Sequence, residues 1–72
     1  MSIMKINLNG EIIEFSEEIN LLSLLEEIGF DPKKVAVELN LEIVPKSGYK
    51  LTKLKEGDHV EIVHFIGGGL YK

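Results

Sequence analysis

The nine residues from Asn20 to Ile28 constrain the fold of this chain most. Leu21, Leu24, Leu25 and Ile28 fall at i, i+3, i+4 and i+7, one apolar stripe along an α-helix, while Ser23, Glu26 and Glu27 face water. Asn20 suits the N-cap, because its side chain can accept from the free N–H groups of the first turn. Gly29 stands where a left-handed residue closes a helix, and Pro32 prevents its resumption. A helix of barely two turns is not stable alone, so a sheet made from the rest of the chain has to cover its stripe. Leu22 lies off the stripe and fits either peripheral core or a minor contact.

The segments on both sides of the helix have strand character. In Ile3 to Leu8, Met4, Ile6 and Leu8 alternate with Lys5 and Asn7. Asn9-Gly10 then supplies a two-residue type I′ turn, in which both positions need positive φ, and Glu11 to Phe15 returns as a second strand. After the helix, Val35 to Leu39 is rich in β-branched residues and is followed by a turn around Asn40-Leu41. Glu42-Ile43-Val44 is a short strand closed by Pro45, which lacks an N–H and suits an edge or a strand end. Lys46 to Tyr49 reads as a turn or a single turn of 3₁₀ helix, and Leu51 and Leu54 are spaced to anchor an irregular crossing segment. Lys55-Glu56-Gly57-Asp58 is a tight turn. His59 to Phe65 is the last strand and runs directly into three glycines.

With 72 residues the chain makes one domain, and a domain of that size buries only about 60% of the surface its unfolded chain exposes. A hydrophobic content of 44% is material enough for a small core. The economical solution is an α+β fold with one main helix packed on one face of a mixed sheet of about five strands, the first and last strands side by side at its centre. That is the β-grasp, or ubiquitin-like, architecture. Residues 1–66 are expected to form this domain, and residues 67–72 a flexible glycine-rich tail, since three consecutive glycines have the most backbone entropy to lose on ordering.

Composition excludes several kinds of chemistry. There is no cysteine, hence no disulfide, no thiolate metal site, no cysteine nucleophile and no side-chain persulfide. Eight Lys and no Arg stand against twelve acidic residues, for a net charge of −4; this disfavours nucleic acid and favours a basic protein partner. No apolar run approaches the ~20 residues of a membrane span, and the N-terminus lacks a secretion signal, so a cytoplasmic location is expected. His59 and His64 lie five apart on one strand, on opposite faces by alternation, and cannot share a metal or a proton. No Gly-x-Ser-x-Gly motif and no phosphate-binding loop is present, and Glu26 and Glu27 read as a solvated helix face. No catalytic residue and no metal site is assigned.

A binding surface is easier to place. If Val60 and Ile62 point toward the helix, Val63 and Phe65 point to the opposite face, which a one-layer sheet leaves open to water. Apolar residues there, beside a glycine tail, form a plausible docking patch.

The layout, the Asn40…Ile43-Val44-Pro45-Lys46 segment, the Gly57-Asp58 turn and the run from Val60 to Gly69 together resemble the ThiS family of sulfur carriers in thiamine thiazole biosynthesis. The resemblance covers essentially the whole chain up to Gly69; the order and spacing of the segments carry it rather than any one of them. It implies a carrier that binds no cofactor and that is itself the substrate of an enzyme. A ubiquitin-activating-type adenylating enzyme uses ATP on the carboxylate of the terminal glycine, which becomes a thiocarboxylate and delivers sulfur to thiazole synthase. Carried onto this sequence, Gly69 bears the thiocarboxylate, Gly67 and Gly68 thread into the partner, and Val63, Phe65 and Ile66 contact it. A cysteine desulfurase as sulfur source is a further expected partner.

One departure from the family is that Leu70-Tyr71-Lys72 follow the glycines, so Gly69 carries a peptide bond rather than a carboxylate. Removal of these three residues by a processing protease is the expectation; a tail foreign to the natural protein, or loss of the carrier role, are the alternatives. Two other functions compete: a sulfur carrier like the molybdopterin-synthase small subunit, and a ubiquitin-like binding module that is never activated.

Overall fold

The computed structural model describes residues 3–16, 18–66 and 70–71. Its elements are β1 (Met4–Leu8), β2 (Glu11–Phe15), α1 (Leu21–Ile28), β3 (Val35–Leu39), β4 (Glu42–Val44), β5 (His59–Ile66) and β6 (Leu70–Tyr71), with 3₁₀ turns at Pro32–Lys34 and Lys46–Gly48. The sheet has the order β2-β1-β5-β3-β4, with β6 paired to β5 off this path. β1 and β5 run parallel at the centre, and the other pairs are antiparallel. This is the mixed sheet with one helix that the sequence leads one to expect.

Local chemistry fixes each joint. Asn9 and Gly10 have φ of 49° and 89°, the left-handed pair a type I′ turn needs between β1 and β2. At the start of α1 the Asn20 side chain accepts from the Ser23 N–H at 2.7 Å. The next two free donors are used as well: Leu21 N–H reaches the Thr52 carbonyl and Leu22 N–H the Tyr49 carbonyl. At the other end Gly29, φ 92°, donates to the Glu26 carbonyl while Phe30 N–H donates to that of Leu25 at 2.8 Å, the paired bonds of a Schellman closure.

The core is a single cluster between α1 and the sheet. Leu21, Leu24 and Leu25 are fully buried against Ile6, Val35, Val37, Val60 and Ile62, and Leu22 and Ile28 pack half-buried at its margin. The crossing segment between β4 and β5 differs from expectation. Leu54 is buried but Leu51 is 82% exposed, and Tyr49 takes the second anchoring position. The 3₁₀ turn at Lys46–Gly48 rotates Tyr49 inward, where its hydroxyl donates to the Val35 carbonyl at 3.3 Å; counting leucines by spacing misses this because the segment is not a helix.

Of residues 67–72, Gly67, Gly68, Gly69 and Lys72 lie outside the described residues. Leu70 and Tyr71 form β6, registered against Ile66 and Phe65.

Candidate functional site

β5 carries the sequence features of most interest, and the rest of the sheet is arranged around it. Val60 and Ile62 are buried under the helix, so the residues alternating with them belong to the opposite face, which no element covers among the described residues. The pairing gives that face its map. His59 is level with Asn7 of β1; Glu61 lies opposite Glu38, and Val63 opposite Ala36 of β3; Glu38 in turn lies opposite Ile43 of β4. On the far side Asn7 faces Ile12 of β2. Val63 is half-buried on the open face, as expected.

Two members of this surface were not picked out from the sequence. Ile43 is 76% exposed and Ile12 65% exposed, so each adds apolar area to a wet face. Both were legible in principle: the two-residue turns at Asn9-Gly10 and Asn40-Leu41 fix the hairpin registers, and register decides which face every residue occupies. The Asn40-Leu41 turn sets Leu41 at φ 72° and 88% exposed, an unusual conformation for a leucine at a hairpin tip. A shallow depression of about 370 Å³ lies on the open face beside β1, lined by Lys5, Ile6, Asn7, Ile12, Glu56, Gly57 and His59. A larger hollow, about 490 Å³, lies at the start of α1 between Phe15, Glu18, Ser23, Glu27 and Lys53, away from the open face.

The open face carries Lys5 opposite Glu14 on the β1–β2 side and two acids side by side between β3 and β5. Glu38 and Glu61 are cross-strand neighbours of like charge, an arrangement that weakens rather than supports a sheet. The two histidines are separated as alternation requires. His59 belongs to the open face, whereas the His64 ring packs on Phe30 with centroids 5.6 Å apart, on the helix side. Among the described residues no group of three or more His, Asp or Glu stands close enough to hold a metal ion, and no helix is long and apolar enough to cross a membrane.

Of the other residues singled out from sequence, Phe65 and Ile66 are placed by register opposite Tyr71 and Leu70. Gly67, Gly68 and Gly69 follow β5 in the sequence and lie outside the described residues.

Fold and site together define a ubiquitin-like β-grasp domain whose strand β5 lines an open, partly apolar sheet face bearing the Glu38–Glu61 pair and leads into a run of glycines. The model of the ThiS family matches residues 4–69, and the chain belongs to that family. It is 37% identical to the sulfur carrier protein ThiS of Bacillus subtilis over 89% of this chain and 98% of that one. It is 54% identical to a thiazole synthase of Paramagnetospirillum magneticum over 92% of this chain, but spans only 20% of that protein's length. The crystal structure of the thiamine biosynthesis protein ThiS from Geobacter metallireducens superimposes with a TM-score of 0.79 at 33% identity, covering 92% of this chain and all of the other.

Proposed function

We propose that the chain is the sulfur carrier of thiazole formation in thiamine biosynthesis, and that Gly69, once the bond to Leu70 is cut, is the residue that carries the sulfur. The observation that supports this most is where the family match stops. It runs through the whole domain and ends on Gly69, immediately before the residues that set this chain apart.

The chemistry follows from the position of a carboxylate at the end of a glycine run. A carboxylate is a poor electrophile. Attack of a Gly69 carboxylate oxygen on the α-phosphorus of ATP breaks the α–β phosphoanhydride bond, releases pyrophosphate and leaves an acyl-adenylate. The outer sulfur of a persulfide then adds to the activated carbonyl and expels AMP, and a thiol reductant cleaves the S–S bond of the resulting acyl disulfide, leaving a thiocarboxylate and a disulfide. These steps belong to a partner, an adenylating enzyme of the ubiquitin-activating type, with a cysteine desulfurase as the source of sulfur. The carrier itself holds no cofactor and is a substrate rather than an enzyme. Glycines at 67 and 68 suit a segment that has to pass through a narrow channel, because they present no side chain and accept almost any backbone conformation.

The consumer proposed for the thiocarboxylate is thiazole synthase. A relative of that name shares more than half its residues with this chain over the matched stretch, so domain and synthase occur there in one polypeptide. Docking on either partner uses the open face around Val63, with Phe65 and Ile66 further along β5 as additional contacts, Ile43 at the β4 edge of that face, and the Glu38–Glu61 pair facing a basic group of the partner. The test is a chain ending at Gly69, incubated with ATP and a ubiquitin-activating-type enzyme. ATP-dependent pyrophosphate release is expected, and none from the chain that continues through Lys72. Equal inertness of both forms, with an enzyme shown to be active on another carrier, would sink the proposal.

A further inference from the structure

We infer that Asn9 is the positioning residue of the docking strand: its side-chain carboxamide stands in for the next peptide of β1 and fixes β5 at Ile62, one residue before Val63. The inference rests on reading β5 as the partner-facing strand.

β1 ends at Leu8, and its register with β5 reaches only Val60. There the chain turns away, because Asn9 and Gly10 begin the hairpin into β2. A parallel neighbour that stops at this point leaves the following β5 peptide without a main-chain partner on that edge. The Asn9 side chain supplies one. Its Oδ1 accepts from Ile62 N–H at 2.7 Å and its Nδ2 donates to the Ile62 carbonyl at 3.3 Å, while the Asn9 main-chain N–H donates to the Val60 carbonyl at 2.9 Å. A primary amide offers an acceptor and a donor side by side as a strand residue does, so the ladder continues by one residue through a side chain.

The turn alone does not explain the choice of residue. Glycine or aspartate would also take the left-handed φ of 49° at this position, but neither can both donate to and accept from Ile62. A second asparagine grips the opposite edge: Asn40, φ 53°, donates its N–H to the His59 carbonyl at 2.8 Å and accepts the His59 N–H on Oδ1 at 2.9 Å. β5 is thus held from the β3 side from His59 through the ladder to His64, whereas on the β1 side its last hold is the Asn9 carboxamide at Ile62, and the segment that meets a partner begins immediately after it.

Two substitutions separate the turn from the clamp. Asn9→Gly keeps the left-handed turn and removes both side-chain bonds; Asn9→Asp keeps the acceptor for Ile62 N–H and loses the donor. In the full chain, hydrogen exchange of the Ile62 amide is expected to speed up about tenfold in Asn9→Gly relative to the amides of α1, and by less in Asn9→Asp. In chains ending at Gly69, pyrophosphate release with a ubiquitin-activating-type enzyme and ATP should show a KM raised about tenfold by Asn9→Gly at unchanged kcat, partly restored in Asn9→Asp. Unchanged Ile62 exchange in Asn9→Gly would overturn the clamp. Faster exchange with an unmoved KM would overturn its positioning role. If the unmutated chain is not adenylated, the carrier reading fails on its own, and the exchange measurement still decides whether the clamp exists. Should Asn9→Gly not fold, Asn9→Ala, which also removes both side-chain bonds, must show the faster Ile62 exchange.

Discussion

At the start of β3 the carbonyl of Val35 accepts two side-chain donors, the Tyr49 hydroxyl at 3.3 Å and the Lys46 ammonium at 3.0 Å. Tyr49 is 2% exposed, so its phenol has left water for a site with one hydrogen-bond acceptor, and burial pushes its pKa above the ordinary 10.0. The sign of the consequence is fixed. Above pH 10 the unfolded chain loses this proton while the folded protein keeps it, so stability is intact below about pH 10 and falls as pH rises from there through the folded-state value. Tyr49→Phe should cost about 1 kcal/mol at neutral pH through the lost hydrogen bond. That deficit should narrow as pH rises above about 10, measured by urea unfolding at each pH, because phenylalanine has no proton to lose. A deficit that stays constant or widens would contradict the burial-raised pKa.

At the scale of elements, α1 shows why so much could be read in advance. Its apolar stripe, N-cap and closing glycine are all local signals, and the helix spans Leu21–Ile28 as expected. Asn20→Ala removes the bond to Ser23 N–H and should destabilise the protein by about 1 kcal/mol in thermal or urea unfolding. An unchanged midpoint would mean that the Thr52 and Tyr49 carbonyls hold the helix start unaided. The strands were legible where a two-residue turn set their register. The segment between β4 and β5 was not, because Leu51 and Tyr49 exchange places through a 3₁₀ turn that spacing does not reveal. The double role of Asn9 was hidden for a related reason: Asn-Gly signals a turn locally, whereas the bonds to Ile62 reach 53 residues along the chain. The candidate site divides the same way. Alternation along β5 placed Val63 correctly, but Ile12 and Ile43 reach the open face only through cross-strand registers.

At the scale of the whole molecule, one helix closes one face of the sheet and the other is uncovered among the described residues, and β5 serves both faces at once; the proposed docking uses the uncovered one. Its inward residues Val60 and Ile62 hold the core, and Val63 lies on the open face. A charge placed at Val63 should therefore separate docking from folding. Val63→Asp is expected to raise the KM for adenylation of the chain ending at Gly69 by about tenfold, whereas Leu41→Asp, at the exposed hairpin tip, should leave it unchanged. Equal effects of the two would remove β5 from the interface. The most direct measurement is the intact mass of the chain ending at Gly69 after incubation with its activating enzyme, ATP and a sulfur donor. The expected product is heavier by the replacement of one carboxylate oxygen with sulfur, and the gain should disappear when ATP is omitted. An unchanged mass, with an enzyme shown to be active on another carrier, would contradict a sulfur-carrying Gly69.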